Sequence, residues 1–163
     1  MILDNFLFLS GAVSPTGVLS GQAANGAGNI VSTNTVDNGP LTLGGNQAGD
    51  QGVGKQISVV FSVLTAPTVG TNVGFQIIQA DDAALSVNVE VLNQTDSFAI
   101  AKLPAGTLVP LTIDPAAPYA PRRYWGVRYV NVGAIATFSV AAALATTVPA
   151  VKNLYYKNGF AVL

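Results

Sequence analysis

Apolar and polar residues alternate with a period of two along most of the chain beyond Gln56, which is the signature of half-buried strands. In ISVVFSVLT the residues Ile57, Val59, Phe61 and Val63 share one side, with Ser58 and Ser62 on the other. In LSVNVEVL the residues Leu85, Val87, Val89 and Val91 alternate with Ser86, Asn88 and Glu90, the cleanest alternation in the sequence. Further runs over 73–79, 97–102, 107–113, 123–131 and 134–145 are separated by turn-forming stretches such as TAPTVGTN, QADD, NQTD, LPAG and NVG. The Ala-rich 134–145 run could be helical by composition, but Thr137, Phe138, Ser139 and Val140 favour a strand. About eight strands at the spacing of sandwiches and barrels make the chain all-β. A two-sheet antiparallel jelly roll, with long Gly/Asn-rich loops and extended termini, is the expected architecture, and an immunoglobulin-like sandwich is the second choice.

The remaining segments read differently. Residues 14–55 are rich in Gly, Asn, Ser and Thr, and form a loop-rich N-terminal part with short strands expected at 30–36 and 41–43. Residues 56–145 hold the main strands and 146–163 a C-terminal segment, so 1–163 reads as one domain.

Charge narrows the function. Of 163 residues only 9% are charged, against about 25% in ordinary soluble domains, and the net charge is -1. Such a surface has little to keep neighbours apart and is expected to finish in contact with other chains. Seven basic residues balanced by eight acidic ones leave no broad basic face for nucleic acid. The chain has neither Cys nor His, which removes disulfides, thiolate metal sites and the commonest general base. No enzyme activity, metal or cofactor is expected. The uncharged stretch 133–151 is long enough to consider as a membrane span, but its Thr and Ser content and Pro149 argue against one. The opening MILDNFLFLSGAV lacks the basic start of a signal peptide and carries Asp4, so a soluble, unprocessed protein is expected.

Three short motifs carry little chemistry. GDQGVGK (49–55) has the spacing of a phosphate loop up to its Lys, yet Gln56 stands where a magnesium-binding hydroxyl is needed. Asp81 and Asp82 are adjacent in a turn, so they project to opposite sides and make a poor acid–base pair. Asn93-Gln94-Thr95 matches a glycosylation acceptor and, without evidence of secretion, means a surface turn.

Two kinds of segment stand out as candidate interfaces. The first is PRRYWGVRYVNV (121–132), where Tyr124, Gly126, Arg128 and Val130 share one strand face and Arg123, Trp125, Val127 and Tyr129 the other. Arg and aromatic residues of this kind populate protein interface hot spots or bind sugar rings. They fit equally a core strand with Trp125 buried and the arginines paired to carboxylates at its edge. The second is the pair of apolar termini, with Ile2, Leu3, Phe6 and Phe8 at one end and Tyr155, Tyr156 and Phe160 at the other. The candidate interface set therefore comprises those terminal residues with Arg122, Arg123, Tyr124, Trp125, Arg128 and Tyr129.

Four segments in order, MILDNFLFLSGAV (1–13), STNTVDNG (32–39), RRYWGVRY (122–129) and NLYYKNGFAVL (153–163), resemble the capsid cement proteins of short-tailed bacteriophages. That family is typified by the cement protein of a Bordetella phage, and the similarity runs along essentially the whole chain. The resemblance implies a jelly-roll virion protein on the outer surface of an icosahedral head, soluble in the host cytoplasm before assembly. It implies a partner, the major capsid protein of the HK97-like type, whose neighbouring subunits it would clamp in many copies. A homo-oligomer is expected, with a dimer as the first choice. The competing expectation is a carbohydrate-binding jelly-roll module of a phage fibre or adhesin, with Tyr124, Trp125 and Tyr129 as its platform.

Overall fold

The alternating runs pair into sheets because a period of two lines one apolar face on each strand. The computed structural model describes residues 7–39, 42–43, 46–47, 57–113 and 122–145. The first strands are short: β1 (Phe8–Ser10), β2 (Ala12–Val13), β3 (Leu19–Ser20), β4 (Gln22–Ala23), β5 (Gly26–Val31), β6 (Val36–Asp37), β7 (Thr42–Leu43) and β8 (Asn46–Gln47). The later ones build the frame: β9 (Ile57–Thr68), β10 (Asn72–Ala80), β11 (Glu90–Gln94), β12 (Phe98–Ala99), β13 (Leu108–Ile113), β14 (Tyr124–Ile135) and β15 (Thr137–Ala145). A 3-10 turn, Ile100–Lys102, follows β12.

Sheet I runs β1-β15-β9-β13, with β4 also paired to β15. Sheet II runs β11-β10-β14-β5, with β12 added on β10 and β6 on β14. Two small ribbons, β2-β3 and β7-β8, complete the pairing. Every ladder is antiparallel. The chain crosses from sheet I to sheet II between β9 and β10, returns at β13, and crosses twice more at β14 and β15. The result is the expected all-β, two-sheet antiparallel sandwich of jelly-roll type.

The inner faces interlock around aromatic rings. Phe61 of sheet I stands 5.0 Å from Phe75 of sheet II, and Phe75 also meets Phe98, Tyr129 and Phe138 at 6.0–6.3 Å, edge to face. Such tilted arrangements suit the ring quadrupoles. Val59, Val63, Ile77, Val127 and Val140 fill the space around them without exposure to solvent. The Ala-rich run is a strand, as its β-branched centre favoured, and packs as β15 along β9.

Two expected strands are cut short, and the run over 97–102 keeps only β12 before the 3-10 turn Ile100–Lys102. The alternation over 85–92 predicts a strand, but only its last part enters one, β11. The cause is the Asp82 carboxylate, whose Oδ1 accepts from the backbone N–H of Ser86 and Val87, both at 2.8 Å, while Oδ2 accepts from the Ser86 hydroxyl at 2.7 Å. These bonds supply the loop with what a strand ladder would have given it. They set Leu85 and Asn88 at φ 55 and 50. Leu85 is folded down on the outer face of sheet II beside Ile78 and Ala80, whereas Val87 is left exposed. Gly126 makes this possible, because a Cβ there would collide with the Leu85 side chain.

No helix among the described residues is long and apolar enough to cross a membrane. The stretch considered for one, 133–151, is strand as far as Ala145, with the rest outside the described residues. The GDQGVGK motif, the termini around Ile2, Leu3 and Phe6, and the tail with Tyr155, Tyr156 and Phe160 also lie outside them.

Candidate functional site

Strand β14 carries the Arg-aromatic cluster through the middle of sheet II, between β10 and the β5/β6 pair. Its register places Trp125 opposite Gln79 and Val36, and Tyr129 opposite Phe75 and Ile30. The face assignment of the sequence holds, since Trp125, Val127 and Tyr129 point into the core while Tyr124, Arg128 and Val130 remain partly exposed.

This placement corrects part of the candidate set. Trp125 is 3% exposed and Tyr129 fully buried. A partner cannot touch them without opening the sandwich, and burial pushes the Tyr129 phenol well above its ordinary value. They are core residues, as one of the two readings of this strand held. A sugar platform of Tyr124, Trp125 and Tyr129 is therefore not built. Phe8 is likewise 3% exposed. A register shift between Phe8 and Ser10 in the β1/β15 ladder accompanies the burial of three consecutive residues there.

The arginines at the start of β14 are engaged within the chain. Arg122 donates through Nη1 to both carboxylate oxygens of Asp81, at 2.9 and 3.0 Å, and through Nε to Glu90 at 3.2 Å. Its backbone N–H donates to Gln79 Oε1, and Gln79 Nε2 donates to the same Glu90 oxygen. Asn88 Nδ2 reaches Asp81 from the other side at 2.7 Å. Hydrogen bonds from Asn88 and then Arg122 hold the Asp81 carboxyl below its ordinary value. This network fastens the 81–89 loop to the first residues of β14. Arg123 grips Asp37 with two parallel bonds of 2.8 and 2.7 Å, and its guanidinium lies 5.0 Å from the Tyr124 ring centre. That fork, with the Gly39 N–H, lowers the Asp37 pKa to about 2. Asp81 and Asp82 thus hold separate jobs, one as an ion-pair partner and the other as a loop cap.

Two contacts escaped the sequence. Asn93, the nominal glycosylation acceptor, donates through Nδ2 to the Thr112 carbonyl at 2.7 Å and ties β11 of sheet II to β13 of sheet I. A polar ladder also crosses the outer face of sheet II: Arg128 Nε donates to Gln76 Oε1 at 2.6 Å, and Gln76 Nε2 donates to Gln94 Oε1 at 2.8 Å. The residues are far apart in sequence, and only the strand register aligns them.

The family model Bbp16 matches residues 19–152, which takes in β3 to β15 and hence both sheets of the sandwich apart from β1. The chain belongs to the Bbp16 family. Bbp16 is a family of Bordetella phage proteins, so the sandwich is that of a phage-associated protein. No curated protein matches the chain significantly.

Proposed function

We propose that this Bbp16-family protein is a non-enzymatic capsid cement protein, placed on the outer surface of the phage head, where it bridges subunits of an HK97-like major capsid protein. The observation that carries the reading is the distribution of charge. Strands β1, β4, β9, β13 and β15 of sheet I contain no charged residue at all. Beside sheet II, Arg122 and Arg123 are tied to carboxylates of the same chain, which leaves Arg128 as the one unpaired cation on the described strands. A surface of this kind suits close lateral packing, where an unpaired charge would be costly to desolvate. Family membership supports the phage setting, and the buried rings of Trp125 and Tyr129 weigh against a sugar platform.

The mechanism is mass action. A protein that binds only the assembled lattice stabilises that lattice in proportion to its occupancy. Repeated attachment, through a homo-oligomer with a dimer as first choice, lets modest contacts hold together. No cofactor or metal enters the mechanism.

The test is co-sedimentation of purified protein with expanded heads that lack it, alongside heads of an unrelated phage. Saturable binding to the cognate heads, with greater resistance to heat, is the expected result. Absence of binding to the cognate heads would overturn the reading.

A further inference from the structure

Four side chains among the described residues are cationic: Lys102, Arg122, Arg123 and Arg128. Arg122 and Arg123 are neutralised by Asp81, Glu90 and Asp37. Lys102 sits on the exposed 3-10 turn, where a long flexible chain stays hydrated. Arg128 is different. It projects from the middle of β14, the central strand of sheet II, partly buried among its neighbours. Burial lowers its pKa, and among the described residues no carboxylate offsets that cost.

The hydrogen-bond direction adds a second, independent observation. Because Arg128 Nε can only donate, it fixes the Gln76 amide with its oxygen toward the guanidinium and its nitrogen toward Gln94. Gln94 in turn accepts with its oxygen, and its side-chain nitrogen makes no hydrogen bond among the described residues. Both free ends of the ladder are therefore donors: the terminal guanidinium nitrogens at one end and the Gln94 amide nitrogen at the other. The next row of the face, Gly74, Val130 and Asn29, holds one polar side chain, Asn29, and it makes no hydrogen bond to either end of the ladder.

We infer that the Arg128–Gln76–Gln94 ladder is a docking point for a carboxylate on a partner protein, and this assignment rests on the cement reading, in which the partner is the capsid subunit. The guanidinium fork matches the two oxygens of an Asp or Glu side chain. A nucleic-acid backbone is a poor match, because one uncompensated arginine on this face, in a chain of net charge -1, cannot follow a row of phosphates.

The experiment is head co-sedimentation at low and high salt with wild type, Arg128→Gln, Gln76→Glu and the charge control Lys102→Gln. Arg128→Gln is expected to weaken binding about tenfold or more and to remove most of the salt dependence. Gln76→Glu gives Arg128 a carboxylate within the chain, so it should weaken binding comparably while the protein stays folded by circular dichroism. Lys102→Gln should bind as wild type does. Wild-type affinity in both Arg128→Gln and Gln76→Glu would overturn the docking assignment and leave the cement reading standing. Failure of the wild type itself to bind cognate heads would overturn the cement reading and, with it, the assigned partner.

Discussion

The two sheets share one core and differ on their outer faces. Sheet I presents Leu108, Ser62 and Ala141 in one cross-strand row, and Pro110, Val60 and Ala143 in the next, all uncharged. Sheet II carries Glu90, Asp37 and Arg128 on its strands, with the Arg122 and Arg123 networks at the start of β14. Its outer face is also partly covered by a second layer, where Leu85 and its loop pack on Ile78 and Ala80. The difference separates two ways of using a β-sheet. Sheet I is an open sheet whose strands carry no charge. Sheet II places polar groups where strand register brings distant residues together, and the fold uses them to fasten a loop, a strand edge and the uncompensated Arg128.

If the inner faces really act as one unit while the outer faces diverge, a core substitution must weaken both sheets together. Phe75→Ala removes the ring at the centre of the aromatic cluster and should cost about 3–5 kcal/mol in urea denaturation. Phe61→Ala, from the opposite sheet, should cost a similar amount. The double variant should show a coupling of about 0.5–1.5 kcal/mol, since the two rings are 5.0 Å apart. Strict additivity would mean that the sheets do not share these contacts.

The outer layer of sheet II gives a smaller and more local effect. Gly126→Ala drives a Cβ into Leu85, so the loop must lift or the strand must shift, at about 1–3 kcal/mol. Gly74→Ala, on the same face, meets only Val130 at an ordinary 3.6 Å and should be neutral or slightly stabilising. Equal effects at the two positions would show that Leu85 does not rest on Gly126.

Most of this architecture was legible because it depends on local alternation. The runs that became β9, β10, β13, β14 and β15 place apolar residues at alternate positions through their centres, and the fully buried Val59, Phe61, Val63, Phe75, Ile77, Val127, Tyr129 and Val140 follow that pattern. The two faces of β14 could be read off the sequence, although which of them turns into the core could not, because periodicity fixes the sides of a strand and not what covers them. The run at 85–89 misled for a similar reason. Its apolar spacing is that of a strand, but one carboxylate, Asp82, outweighs the spacing by bonding two backbone amides. The Arg128 ladder had no local signal at all, since Gln76, Gln94 and Arg128 meet only through the register of three strands.

The smallest effect isolates charge from packing. Asp37 has a folded pKa of about 2 against an ordinary 3.8, principally through the Arg123 fork and then the Gly39 N–H. A depressed carboxylate contributes stability that is present above 3.8 and is lost as pH falls through about 2. The strands of sheet I hold no carboxylate, so this loosening should appear in sheet II alone. Amide hydrogen exchange of Asp37 and Tyr124, paired across β6 and β14, should quicken over that window, while β9 and β15 keep their protection. Arg123→Gln should raise the Asp37 titration midpoint, read by carboxyl NMR, toward the ordinary value. It should stop short of that value because the Gly39 N–H still donates at 2.8 Å. An unchanged midpoint would show that the fork does not hold Asp37 in solution. Equal acid sensitivity in both sheets would show that their electrostatic difference is one of composition only.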